Sequence, residues 1–299
     1  MKTANSRKIA VVLLAAAGIS FAGIVADVKL ALTKGDFTGA AAKIQAYRKS
    51  IGTTPEILEA LSWMGRAEAA RGHADQAEKY AQETYQLATA MLKKRALDRD
   101  GDAPLPLALG AAIETEAGVM AMRGQRADAV AYLRTQLQTY SRTSIGARIQ
   151  KNINLLSMEG KPAPALQGMT LPKGKVTLIF FWAHWCPDCK AESAVLRQLK
   201  AELGPKGFVL MAPTQKYGYV AGGVDAPADV ETRYIEEVRR AYYNGVVDGP
   251  ATVNEENFRV YGASTTPTLV LVDRYGIVKM YHPGALAYAE LRARVAALL

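Results

Sequence analysis

The sequence predicts two parts of different fold class: an all-α half of helical hairpins, then an α/β half built on a mixed sheet. Three observations predict it. From Asp27 to Met158 the chain is rich in Ala, Leu, Gln, Glu and Arg and poor in proline, and its apolar residues recur at three and four, the period of amphipathic helices. Between Met158 and Val176, Gly160, Pro162, Pro164, Gly168, Pro172 and Gly174 interrupt any helix, so a boundary belongs there. Beyond it, apolar runs of the kind found in buried strands alternate with helical stretches, which implies a sheet covered on both faces. The 299 residues are 49% hydrophobic and 22% charged, enough for two cores and unlike a fibrous or disordered chain.

The chain opens on a basic stretch, Met1–Lys8, and then runs from Ile9 to Ala26 without a charge. Small residues at Ser20 and Ala22 suit cleavage after Ala22, and a second candidate follows Ala26. This reads as an export signal over residues 1–26, with a retained anchor over residues 9–26 as the rival reading. Either one places the remainder outside the cytoplasm, periplasmic or otherwise extracytoplasmic. No cysteine follows the run to take a lipid, and no other stretch reads as long and apolar enough to cross a bilayer. The net charge of +9 is spread over both halves rather than concentrated, so a nucleic-acid partner is not expected.

Within residues 27–158 a spaced pair recurs: Gly35 with Ala40, Gly72 with Ala77, Gly124 with Ala129. Glycine suits a tight interhelical turn, and alanine suits the place where two helices touch closely. In the central copy, Leu61, Met64, Gly65, Gly72 and Ala77 resemble a tetratricopeptide repeat. Glu68 and Ala81 depart from that pattern, which favours an aromatic residue at the first place and a large apolar one at the second. The intervals between the glycines, 37 and 52 residues, imply an insertion, placed at the polar stretch Asp98–Pro104. That stretch lacks the glutamate of a calcium loop and reads as a solvated loop. A generic helical bundle is the alternative, and either version suggests a surface for a protein partner.

In the second half, Val176–Trp182 reads as a strand buried on both faces, and a helix follows to about Leu203. Phe208–Met211, Thr268–Val272 and Ile277–Tyr281 read as further strands, and Ala285–Leu299 as a closing helix. Both cysteines of the chain, Cys186 and Cys189, fall within four residues. A bridge closing so small a loop stabilises little, so the pair reads as chemical rather than structural.

Trp182-Ala-x-Trp185-Cys186-x-x-Cys189-Lys190 after a strand resembles the thioredoxin active-site motif, and Thr266-Pro267 resembles that fold's cis-proline position. Within the fold the chain resembles the TlpA/ResA-like group of exported thiol-disulfide oxidoreductases. The Gly160–Pro164 lead-in, Glu192 three residues after the second cysteine, and the room for an inserted helix and strand between Met211 and Pro267 carry this likeness. Phe180 stands where thioredoxin has a buried aspartate, Ala194 where the group often has proline, and the Pro187-Asp188 dipeptide is unusual. The expected division is 1–26 signal or anchor, 27–158 helical, 159–175 linker and lead-in, and 176–299 thioredoxin-like.

The resemblance implies thiol-disulfide exchange with the Cys186–Cys189 disulfide as the redox group and no other cofactor or metal. Cys186 at a helix N-terminus, where free amides and the dipole favour thiolate, is the exposed attacking group, and Cys189 the buried resolving thiol. Pro187 suits the first helical position. Glu192 takes or relays the Cys189 proton. Trp185, Thr266 and Pro267 form the substrate-docking edge. Asp188 disfavours the thiolate, and His184, if protonated and close, favours it. The five tyrosines 217, 219, 234, 242 and 243, with nearby arginines, read as an amphipathic helix with polar-tipped aromatics.

The function so read is an exported oxidoreductase that reduces disulfides in proteins, recharged by a membrane electron donor, with its helical half recruiting a partner. A disulfide-forming oxidase, and an adaptor whose helical repeats are the function, stay open as alternatives.

Overall fold

A computed structural model describes residues 23–99 and 103–299. Residues 1–22, which carry most of the segment read as a signal or anchor, lie outside the described residues, as do Asp100, Gly101 and Asp102 of the polar loop.

Seven helices come first: α1 (Ile24–Thr33), α2 (Phe37–Ile51), α3 (Pro55–Ala70), α4 (Ala74–Leu92), α5 (Pro104–Met122), α6 (Arg126–Tyr140) and α7 (Gly146–Ser157). Each recurring glycine makes the turn of a hairpin: Gly35 between α1 and α2, Gly72 between α3 and α4, Gly124 between α5 and α6, with φ of +74°, +77° and +79°. Their paired alanines, Ala40, Ala77 and Ala129, are fully buried at the helix contacts. Gly65 serves the same end, because a Cβ there would meet the Tyr80 Cβ at 3.3 Å and the Ala77 carbonyl at 3.4 Å. Glu68, the departure from the repeat pattern, is buried at the end of α3 and faces His73 Nδ1 at 2.8 Å, bracing the turn that follows.

Helix α1 begins at Ile24, three residues before Asp27, where the helical part is expected to start. Ile24 is already buried in the α1–α3 core with Val28, Ile44 and Leu61. Helix α5 also has the length and apolar character of a membrane span, although the sequence suggests none beyond residues 9–26. Its length is instead spent packing on α3, α4, α6 and α7, with Leu105, Leu109 and Ile113 in the second helical core.

The α/β part contains β1 (Val176–Phe181), α8 (Pro187–Leu203), β2 (Phe208–Met211), β3 (Pro213–Thr214), α9 (Ala228–Tyr242), β4 (Thr252–Val253), α10 (Glu255–Tyr261), β5 (Thr268–Val272), β6 (Val278–Pro283) and α11 (Tyr288–Ala296). The main sheet runs β2-β1-β5-β6, parallel at β1–β2 and antiparallel elsewhere. Strand β1 divides its side chains by the period of two: Val176, Leu178 and Phe180 enter one core with α8 and α11, while Ile179 and Phe181 enter the other with α10. The region between β2 and β5 holds two helices and the small parallel pair β3–β4, more than the single helix and strand expected.

The lead-in is pinned rather than free. Gly160 N donates to the Val278 carbonyl, Val278 N to the Lys161 carbonyl, and Ala163 N to the Gly276 carbonyl. Met158 sits in the α10-side core, so the helical part and the sheet share buried side chains. The closest approach is at Gly262, which ends α10 with φ +57°: a Cβ there would fall 2.3 Å from the Lys151 backbone nitrogen in α7.

Candidate active site

Strand β1 delivers Trp182 and a short loop to the N-terminus of α8. Cys186 is the cap: its Sγ accepts from the Cys189 amide at 3.0 Å, and Pro187 takes the first helical position. One turn of helix thus holds both sulfurs, and the two cysteines are joined as a disulfide. The Thr266–Pro267 peptide is cis, and the Thr266 carbonyl oxygen lies 3.4 Å from Cys186 Sγ. Pro267 is itself buried and its carbonyl accepts from Gly284 N at 2.7 Å. The structure brings together Cys186, Cys189, Pro187, Thr266 and Pro267, the last two being residues that only the family resemblance placed here.

Cys186 is not exposed as expected. It is only 2% accessible, and Cys189 is fully buried. Burial follows from the sulfur's place between the helix terminus and the Thr266–Pro267 loop. What remains open beside it is Trp185, 44% exposed, its ring edge-on to Tyr217 at 5.4 Å. Trp182 is core, fully buried, with Nε1 donating to the Ala212 carbonyl at 3.0 Å. Phe180, in the place of thioredoxin's buried aspartate, packs against Tyr243.

Glu192 lies on the buried side of α8, one turn after Cys189. Its carboxylate accepts from the Leu286 amide at 3.5 Å. Burial pushes its carboxyl above the ordinary carboxylate range, against a smaller opposing pull from that amide. Asp188 is exposed in the first turn of α8.

His184 is the residue that sequence reasoning placed least well. It is 1% exposed, not solvated, and its Nε2 faces the Glu231 carboxylate at 3.1 Å. Glu231, equally buried on α9, also accepts the Tyr217 amide at 2.5 Å and the Gly218 amide at 2.9 Å. The rings of Tyr217, Tyr219 and Tyr234 stand edge-on around the imidazole at 5.3–5.6 Å. Desolvation lowers the His184 pKa, outweighing the upward pull of Glu231. Nδ1 has no partner. Nothing in the local sequence pointed to Glu231, 47 residues from its histidine; the tyrosine cluster was the one available signal. Of that cluster, Tyr243 is core against Trp182, and Tyr242 is half exposed beneath Lys190.

Among the described residues no group of three or more His, Cys, Asp or Glu side chains is disposed to hold a metal ion.

Residues 167–299 match the family model of a thioredoxin-like domain. Thiol:disulfide interchange protein DsbE of Escherichia coli is 29% identical over 127 residues, 42% of this chain and 58% of that protein. Thiol-disulfide oxidoreductase ResA of Oceanobacillus iheyensis is 29% identical over 119 residues, 40% of this chain and 55% of that protein. Among solved structures, a thiol:disulfide interchange protein of the thioredoxin family from Chlorobium tepidum is 19% identical, covering 42% of this chain and 81% of that one with a TM-score of 0.34. The chain spans little more than half the length of these curated relatives. Its C-terminal part is a thioredoxin-like domain, and the homologues are thiol:disulfide oxidoreductases.

Proposed function

We propose that the chain is an extracytoplasmic thiol-disulfide oxidoreductase that reduces disulfides in other proteins. The observation that carries this is the Cys186–Cys189 disulfide at the N-terminus of α8, with Cys186 Sγ against the Thr266 carbonyl of the cis Thr266–Pro267 turn. In the reduced protein the Cys186 thiolate, favoured by the free amides of α8, attacks one sulfur of a substrate disulfide and expels the other as a thiol. Cys189 then attacks Cys186, releases the second substrate thiol, and leaves the protein oxidised by two electrons. Glu192, kept able to hold a proton by burial, accepts the proton that Cys189 loses. Trp185, Thr266 and Pro267 form the edge against which an extended substrate lies.

The direction rests on what surrounds Cys186. Asp188 places a carboxylate in the same first turn. His184, the group that would oppose it, is held towards its neutral form by desolvation and supplies no fixed cation. Asp188 thus tilts the pair towards thiol and hence towards a reducing potential, unopposed by a charged His184. A reductant outside the cytoplasm needs a membrane donor to recharge it, and export is carried by residues 1–26 of the sequence. The helical part is assigned to partner or substrate recruitment.

Equilibration of the purified chain with glutathione buffers tests this directly. A potential below about −220 mV is expected, and one near −120 mV makes the protein an oxidant instead. A pair that does not exchange at all would sink the enzymatic reading and leave the helical adaptor.

A further inference from the structure

A cleft of about 860 Å³ lies away from the cysteines. It lies between the helical part and the loop leading into the cis turn, with α5 and α7 on one side and Ser264 and Thr265 on the other. Among the described residues its charged lining is Arg66, Arg99, Arg148 and Lys151 with Asp98 and Glu114; Asp100 and Asp102, between Arg99 and Ala103 in sequence, lie outside the described residues. At its centre the Glu114 carboxylate is shared: Arg148 Nε reaches it at 2.7 Å and Lys151 Nζ at 3.4 Å. Arg148 and Lys151 are largely buried, with 19% and 12% of their side chains exposed. Arg66 adds a third cation to the same group. Partial desolvation, and after it repulsion by Arg148, hold its guanidinium below the ordinary value while Glu114 pulls the other way. Among the described residues no carboxylate pairs with Arg66, which stacks over the Trp63 ring at 4.5 Å.

The arrangement is built rather than incidental. Gly110 on α5 leaves the space in which Arg148 lies flat: a Cβ there would meet Arg148 Cδ at 3.1 Å and the Ile145 side chain at 3.3 Å. Arg148 is further tied to the Leu107 carbonyl at 3.3 Å. The contact of Gly262 with the α7 backbone sets the distance between the cations and Thr265. The next residue, Thr266, presents its carbonyl 3.4 Å from Cys186 Sγ.

We propose that this cleft is a substrate subsite that takes carboxylate side chains lying close in sequence to the cysteine under attack. The proposal deepens the reading above and rests on it. Around Glu114 two cations are bonded to the carboxylate and a third, Arg66, stands by without an ion pair among the described residues, so the positive charge at that group exceeds the negative, and the complementary group is an anion. An extended chain advances about 3.3 Å per residue, so a substrate running from the sulfur past Thr265 enters the cleft within a few residues of its own cysteine. The helical part thereby selects acidic segments for the cysteine pair.

The test uses the full chain, pre-reduced with dithiothreitol, in single turnover. Two peptide series carry one cysteine as a mixed disulfide with 2-thiopyridine, flanked before or after by three glutamates or by three lysines, and release of the thiopyridone is followed by absorbance. The protein dithiol becomes its disulfide while peptide thiol and thiopyridone leave, so electrons balance without another reagent. At low salt the better-placed glutamate peptide is expected to react about fivefold faster than its lysine counterpart, the advantage shrinking at about 0.3 M salt. Arg66→Gln should reduce the ratio and Arg66→Glu abolish it. Lys43→Glu, which makes the same change in net charge on exposed α2, should keep it. Equal rates for the two peptides, or a loss of preference as large with Lys43→Glu as with Arg66→Glu, would overturn the subsite in favour of no selection or of the general positive field. If no peptide reacts with the unmodified chain, it is the oxidoreductase reading that has failed.

Discussion

Replacing Glu231 with glutamine probes the least expected part of the site. The carboxylate takes the Tyr217 amide and His184 Nε2 on one oxygen and the Gly218 amide on the other; Glu231 and His184 are buried and the two amide bonds are part-buried. Glutamine keeps one acceptor oxygen. Its NH₂ must face a donor: Gly218 N if it takes the place of Oε2, or Tyr217 N if it takes the place of Oε1. An orphaned amide costs about 1–3 kcal/mol when buried, the lower end applying where it is part-buried as here, and losing charge assistance on the remaining bonds costs about 1 kcal/mol more. A destabilisation of about 2 kcal/mol is therefore expected for Glu231→Gln at pH 7, read from urea unfolding of the oxidised protein. Reduction potentials of the two proteins should be measured beside it, since about 30 mV corresponds to 1.4 kcal/mol of difference between the effects on the reduced and oxidised forms. A variant within about 0.5 kcal/mol of the unmodified protein would refute the reasoning, because that is the range of an ordinary surface substitution.

Two further substitutions separate chemistry from architecture. Burial raises the Glu192 pKa, so its folded form keeps a proton that the unfolded form loses; its stabilising contribution is complete below the ordinary glutamate value of about 4.3 and is lost as pH rises through the raised one. Glu192→Gln should remove that decline in urea titrations over pH, and should slow release of peptide from Cys186 about tenfold or more with little effect on the first attack. An unchanged release rate would remove Glu192 from proton transfer. Gly262→Ala combines a left-handed φ with a Cβ 2.3 Å from the α7 backbone, whereas Gly276→Ala meets only the φ penalty at +82° with nothing within 4 Å. Gly262→Ala should therefore be destabilised by about 2 kcal/mol or more beyond Gly276→Ala, with the peptide preference reduced. Equal unfolding midpoints for the two would show that α10 and α7 are not tightly docked.

Much of this was legible because it is local. A glycine followed five residues later by alanine marks a turn and the close contact just after it, and all three pairs occupy those places. The cysteine spacing, Pro187 and Thr266-Pro267 likewise carry their geometry within a few residues. Glu231 was not legible, because a carboxylate on an amphipathic helix looks the same whether it faces water or a histidine brought from another element. The Glu192 of the motif was visible, but its burial depends on Leu286 and α11, some ninety residues away. The accessibility of Cys186 was misjudged for the same reason: a helix N-terminus is open by default, and here the cis turn covers it.

The long-range contacts also bear on why the two parts sit in one chain. Among the contacts that hold the segment from Gly262 to Pro267 are Gly262 against α7, Thr265 through its carbonyl to Thr268 Oγ1, and Pro267 through its carbonyl to Gly284 N. Only the last two lie within the α/β part. The first comes from the helical part, through the same helix that carries Arg148 and Lys151. Tyr281 of β6 reaches the carbonyls of Tyr261 and Gly262 from beneath, so the stop of α10 is clamped between the sheet and α7. A displacement of α7 would thus move the cationic group and one anchor of the turn beside Cys186 together. If the cleft selects substrate as proposed, selection and the geometry of the reacting sulfur are mechanically coupled through α7, whose backbone touches that loop at Gly262.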